Sequence, residues 1–241
     1  MTGRASVIGL ALPALAVGVR HALPTLTTRR PSGSVRPRYA GQGRPGGVAL
    51  TFDDGPDPKG TPAVLEFLDA RGWRATFFLL GSQVRRYPQV ARSIAAAGHE
   101  IAVHGYEHRN HLARSASWVR RDLRAAREEI AAATGMQPRW VRPPYGVLSA
   151  GTLAAAKELQ LTPVLWTAWG RDWEAGPADT VMAHLRRALR DGGTILLHDS
   201  DCTSRPGSWR STVGALPLLA ADMTRRQLVV RALDEHLGAR R

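Results

Sequence analysis

The stretch "VALTFDDGPDP" (residues 48–58) runs from apolar, β-forming residues straight into two adjacent carboxylates, Asp53 and Asp54, and then into Gly55 and Pro56. Gly and Pro break a strand, so both carboxylates sit where a buried strand surfaces. Two like charges side by side repel, which calls for a partner that uses them. The same layout recurs along the chain. "ATFFLL" (75–80), "EIAVHG" (100–105), "WVRPPYG" (140–146), "TPVLW" (162–166), "TILLHD" (194–199) and "QLVVRAL" (227–233) are further short apolar runs. Between them, 62–71, 85–98, 117–134, 149–159, 179–190 and 212–224 carry helical spacing, with helix stops at "TGMQP" (134–138) and "DGG" (191–193). Strands alternating with helices imply parallel βα units, in a doubly wound sheet or a barrel.

The polar clusters favour the barrel. Asp53 and Asp54 follow the first apolar run, His104 and His108 the third, and Arg142 to Gly146 close the fourth. "WGRDW" (169–173) follows the fifth, and His198 and Asp199 end the sixth. In (β/α) barrels function collects at the C-terminal ends of the strands, so five clusters from five strand ends converge on one rim. The expected fold is therefore α/β, a distorted, incomplete (β/α) barrel of about seven parallel strands.

A chain of 241 residues, 44% hydrophobic, suits one sizeable domain with an appendage and excludes global disorder. The net charge is +13, and only Lys59 and Lys157 are lysines, so the basicity is almost all arginine. Such a charge suits nucleic acid, anionic lipid or cell-wall polymer, or simply a solvated surface. Cys202 stands alone, which excludes an intrachain disulfide and a cysteine zinc cluster. Residues 1–20 form an apolar segment. Its uncharged run "VIGLALPALAVGV" (7–19) is shorter than the ~20 residues of a membrane span and fits a signal-like or membrane-proximal segment; a packed N-terminal helix is the alternative. The expected location is exported or membrane-associated, against a cytoplasmic one. Residues 21–46, rich in Pro, Gly, Ser and Arg, read as a linker. The folded domain spans 47–235.

"HGYEH" (104–108) places histidines at i and i+4, on one helical face or in a tight loop, where they can hold one metal ion. Eight histidines in the chain leave such a pair open to chance, and His111 competes with His108. A carboxylate added to two histidines gives a three-ligand site with open coordination positions, as in catalytic zinc sites. It also accounts for the paired aspartates: one binds the cation, and the other is free to take a proton. An Asp-Asp-Gly-Pro surface turn is the bland reading. His198, at a strand's end, is placed for general acid work, although a satisfied core histidine has the same surroundings. Arg142, in a loop stiffened by Pro143 and Pro144, would orient Asp53, and Asp172 would pair with His198.

"TFDDGP" (51–56), "HGYEH" (104–108), "RPPYG" (142–146), "DW" (172–173) and "LLHD" (196–199), in this order, resemble the five motifs of the polysaccharide deacetylases, the NodB-like domain of carbohydrate esterase family four. The resemblance covers about residues 46–235 and makes 47–235 the catalytic domain. It implies metal-dependent removal of N-acetyl groups from N-acetylglucosamine units in chitooligosaccharide, peptidoglycan or a related glycan. Asp53 would be the general base and His198 the general acid. Asp54, His104 and His108 would bind the divalent metal, usually zinc, whose bound water attacks the acetamide carbonyl. Arg142 would orient Asp53, Asp172 would tune His198, and the Tyr145 N–H would help stabilise the oxyanion. Trp173 and Leu197 would wall the pocket for the acetyl methyl group.

Gly105 departs from the family pattern, which has Ser or Thr after the first histidine, and puts the rigidity of that loop in doubt. An O-acetyl esterase on acetylated polysaccharide would use the same site. A non-catalytic basic module binding glycan or nucleic acid is the third reading, though no nucleic-acid motif supports it. Trp73, Trp118, Trp140 and Trp209 are expected in the core or rim. "HDSDCTSRPGSW" (198–209) is expected to shape the substrate groove. The expected partner is an acetylated carbohydrate, with membrane or cell-wall association through the N-terminal segment.

Overall fold

A computed structural model of the chain describes residues 21–25 and 37–238. Eight strands form one sheet: β1 (Gly47–Asp53), β2 (Thr76–Leu79), β3 (Glu100–Val103), β4 (Trp140–Val141), β5 (Thr162–Pro163), β6 (Ala168–Trp169), β7 (Thr194–His198) and β8 (Val229–Arg231). Its order is β5-β4-β3-β2-β1-β7-β6, with β8 paired to the N-terminal part of β1. Every pairing is parallel. The helices are α1 (Gly60–Ala70), α2 (Gly81–Arg86), α3 (Pro88–Ala96), α4 (Ala116–Thr134), α5 (Ala150–Glu158), α6 (Ala178–Ala188), α7 (Trp209–Arg226) and α8 (Leu233–Leu237). Two expectations change in detail. The helix expected over 85–98 is divided at Pro88, which opens α3, because proline is tolerated at a helix start and not inside. The fifth apolar run, 162–166, carries only the two residues of β5, and the chain then crosses to a separate strand, β6.

That crossing explains the barrel. β5 and β6 lie at opposite edges of the sheet, yet only residues 164–167 join them. Five residue steps reach about 18 Å at most, whereas seven strands laid flat at ~4.8 Å spacing would separate the edges by about 29 Å. A flat sheet cannot be spanned by this connection. The sheet curls into an open half-barrel, the distorted (β/α) barrel expected from the rim clusters.

Residue parity along the strands then sorts side chains to two faces. Val48, Leu50 and Phe52 of β1, with Phe77, Ile101 and Ile195, pack outward against the helices in one large core. Their neighbours in sequence, Ala49, Phe78 and Ala102, form a second cluster inside the curl. Both faces are buried, so the strands read as continuous apolar runs. The interior also holds a charge. Arg142 is wholly buried, and its Nη1 donates to Asp53 Oδ1 (2.6 Å) and Thr51 Oγ1 (2.9 Å). Its Nη2 donates to the Leu165 carbonyl (2.7 Å), and the guanidinium carbon lies 4.0 Å over the Phe78 ring.

The expected segment 1–20 lies outside the described residues, as do 26–36 of the expected linker. Residues 21–25 are helical, and Thr25 Oγ1 donates to the Leu148 carbonyl (2.9 Å). Beyond a single helical turn at Pro37–Ala40, Gly41 O accepts from Thr194 Oγ1 (2.7 Å) and Gly43 N donates to Gly192 O (2.8 Å). No helix among the described residues is long and apolar enough to cross a membrane.

Removing one partner of a buried ion pair strands the other charge, at a cost of about 3–5 kcal/mol. Arg142→Met should lower the unfolding free energy in urea by that amount, and adding Asp53→Asn should restore part of the loss. Equal stabilities for wild type and Arg142→Met would mean that the pair contributes nothing to the fold.

Candidate metal centre and catalytic cleft

Asp53, the last residue of β1, follows the parity of Ala49 and Thr51 and points into the interior, where Arg142 meets it. Asp54 cannot continue the strand. Its φ of 75° is left-handed, a region that Asp tolerates better than most residues. This turn sends the second carboxylate to the loop after β3. Asp54 Oδ1 lies 3.3 Å from His104 Nε2 and 3.5 Å from His108 Nε2, and one ligand atom from each residue falls within 4.8 Å of the others. The two adjacent aspartates thus diverge, one to a guanidinium and one to a pair of imidazoles.

His104 through Asn110 form a loop without helix, so the two histidines converge through the turn and not along a helical face. The His104 ring donates from Nδ1 to the Arg142 carbonyl (2.8 Å). That bond leaves the Nε2 lone pair directed at Asp54, the tautomer a metal needs. Asp54 Oδ2 accepts from Thr203 Oγ1 (2.5 Å), while its buried Oδ1 has no hydrogen-bond partner. His111, the competing histidine, is wholly buried behind the loop with Nδ1 3.0 Å from Thr152 Oγ1. Gly105 offers no hydroxyl to brace the loop, which is held instead by the Asp122 carboxylate.

Charge favours a cation at this point. Burial alone would raise the Asp54 carboxyl, but the adjoining His104 ring, with His108 and His198, holds it well below the usual carboxylate range. Burial pushes His108 down to about 4, so its ring is neutral. His104 is also opposed by burial, yet Asp53 and Asp54 outweigh it and raise its pKa. An orphaned carboxylate oxygen facing two imidazole nitrogens fits a divalent ion with open positions, the donor set of catalytic zinc sites.

His198 ends β7 in register with Asp53. Its Nδ1 lies 3.1 Å from Asp172 Oδ1, and Asp172 Oδ2 accepts from the His198 N–H (2.6 Å) and from Thr212 Oγ1 (2.6 Å). Burial would lower the imidazole, but Asp172, with Asp54 and Asp53, pushes it up to about 10. The Trp173 ring meets His198 edge-on at 5.8 Å and tilts against Trp169 at 4.7 Å. His198, Trp169 and Trp173 line a cavity of about 230 Å³ with Asp53, Asp54 and the two loop histidines. Tyr145, at φ 60°, sits on its rim with its ring 4.5 Å from His108 and 60% exposed.

One expected residue is misplaced. Leu197 does not line the cavity. It lies on the outward face of β7 with Ile195, in the core under the helices, and Leu196 takes its place beside Trp166 and Trp169. The parity of a strand ending on His198 requires this, since the residue two before an inward-facing histidine faces inward as well. Thr203, Thr212 and Asp122 also went unnoticed in the sequence. No spacing marks them, because each acts across the fold on a residue far away in the chain.

The polysaccharide deacetylase family model matches residues 40–164. A chitooligosaccharide deacetylase from Bradyrhizobium is 36% identical over 203 residues, 83% of this chain and 87% of that protein. Among solved structures, a peptidoglycan N-acetylglucosamine deacetylase superposes with a TM-score of 0.78 at 30% identity, covering 84% of this chain and 94% of that one. A pseudoenzyme of the CE4 family from Bacillus anthracis superposes nearly as well, with a TM-score of 0.75 at 27% identity over 82% of this chain and 67% of that one. The shared fold therefore does not decide activity; the residues of the cleft do.

Zinc titration should show one tight site that Asp54→Ala, His104→Ala or His108→Ala abolishes. Because protons compete with the metal for the histidine rings, affinity should climb with pH. An affinity independent of pH, or unchanged by these substitutions, would place the metal elsewhere.

Proposed function

The chain belongs to the polysaccharide deacetylase family, and from that premise we propose that it hydrolyses the acetamide of N-acetylglucosamine-containing carbohydrate, releasing acetate and a free amine. The observation that carries this reading is the pairing of two carboxyl–base couples around one three-ligand cluster: Arg142 holds Asp53, and Asp172 holds His198. A divalent ion at Asp54, His104 and His108, zinc in this proposal, supplies polarisation of the acyl oxygen and acidification of water when bound.

Asp53 accepts a proton from the water that attacks the acyl carbon. With Oδ1 tied to Arg142 at 2.6 Å, its other oxygen stays available for that proton. As the carbon–oxygen bond forms, charge develops on the acyl oxygen, and the Tyr145 N–H is the chain's donor to it. The Arg142 carbonyl one turn earlier is already used by the His104 ring, which fixes the loop carrying that amide. His198 then gives its proton to the nitrogen as the carbon–nitrogen bond breaks, because an amide does not readily expel an unprotonated amine. Its high pKa keeps that proton in place at neutral pH. Leu196, Trp169 and Trp173 form the apolar wall that receives the acetyl methyl group.

The substrates named for the two deacetylases above, chitooligosaccharide and peptidoglycan, define the candidates for this chain. Wild-type protein loaded with zinc should release acetate from chitooligosaccharide or peptidoglycan fragments, and chelation should stop it. Asp53→Asn should lose about 10²–10⁴-fold in kcat; full activity in that variant would discard the mechanism. Asp172→Asn removes the foremost of the carboxylates that raise His198, so the pKa falls and the alkaline limb of the kcat/KM profile should move to lower pH. An unmoved limb would exclude His198 as the acid.

A further inference from the structure

We propose that Asp122 is the positioning residue for the metal ligands, acting through the backbone of the loop that carries both histidines. The proposal rests on the reading of Asp54, His104 and His108 as a metal site. Asp122 touches none of the three. Its Oδ2 accepts from the Tyr106 N–H (3.0 Å) and its Oδ1 from the Glu107 N–H (3.1 Å), the two amides next before His108.

Five of the six backbone groups of residues 105–107, between the histidines, are thereby committed. Gly105 O accepts from Gly81 N (2.9 Å), Tyr106 O from Ser82 N (3.0 Å), and Glu107 O from Arg109 N (2.8 Å), while Asp122 takes the Tyr106 and Glu107 N–H groups. The N-terminal end of α2 grips the loop by its carbonyls, and the middle of α4 grips it by its amides. A loop held at both kinds of group cannot carry the His108 Cα away from Asp54 without breaking one of them.

The helix itself gives Asp122 no reason to be there. α4 buries Val119, Leu123, Ala126 and Ile130 on one face, and Asp122 is buried among them. An apolar residue would suit that position better, since burying a carboxylate is costly unless its oxygens are bonded. The bonds that offset the cost are the two loop amides. Gly105 completes the arrangement. Its φ of 100° is one that side chains rarely adopt, and a Cβ there would lie 3.0 Å from Asp122 Oδ2, so glycine lets the carboxylate approach the loop.

Asp122→Asn keeps the size and the helix but sets an NH₂ group against one of the amides. Zinc and cobalt(II) affinities of the full chain, measured by competition with a chromophoric chelator, should fall about 10–100-fold, the range for residues that orient metal ligands. The metal-free melting temperature should fall by a few degrees, because a buried donor then faces a donor, and kcat should return toward wild type at saturating metal. Gly105→Ala, which leaves α4 untouched, should weaken metal binding in the same direction and serves if Asp122→Asn fails to fold. Wild-type affinity in the folded variant would overturn the proposal. A wild type that binds zinc but releases no acetate would instead overturn the deacetylase reading, and the two failures are separable.

Discussion

The buried guanidinium of Arg142 is the constraint on which the rest of this structure depends. Placing a charge inside a curled sheet is costly unless it is paired and fully hydrogen-bonded, and here the pairing supplies the site. The side chain fixes the carboxylate of Asp53 at the end of β1. The main-chain carbonyl of the same residue fixes the ring of His104 at the end of β3. One residue therefore sets both the Asp53 carboxylate and the tautomer of the His104 ring, so that neither can drift relative to the other.

The paired aspartates are resolved by backbone geometry. A strand ends on Asp53, a left-handed residue follows, and two carboxylates that would repel in an extended chain face different partners. His198 is treated in the opposite sense. Asp172 braces it at Nδ1, and Thr212 in turn braces Asp172. The result is a cleft in which a carboxylate tied to a guanidinium and an imidazole raised by a carboxylate sit on adjacent strands.

Much of this was legible in the chain. Alternating apolar runs and helical stretches specified parallel βα units, and polar clusters after five of the runs pointed to one rim. The spacing of His104 and His108, with the carboxylates after β1, pointed to a cation. What could not be read was long-range. Nothing in the sequence says that Asp122, one of three acids in a helical pattern, reaches a loop fifteen residues away, or that Thr203 meets Asp54. The run over 162–166 gave no sign that the chain leaves the sheet after two residues to join its other edge. Leu197 differs from expectation for a local reason: parity in β7 runs back from His198 to Leu196, which leaves Leu197 facing the helices.

The short crossing at 164–167 has a consequence for how this scaffold can diversify. Its carbonyls at Val164 and Leu165 are acceptors for the Arg142 side chain, so the segment that seals the gap in the barrel also solvates the charge within it. Lengthening it would admit water to the interior and loosen the guanidinium from its carboxylate. Changes in the glycan accommodated therefore have to arise elsewhere on the rim, in segments such as 199–208 that can grow without being stretched across the opening. The seam is closed to insertion, and the far bank of the groove is where evolution has room.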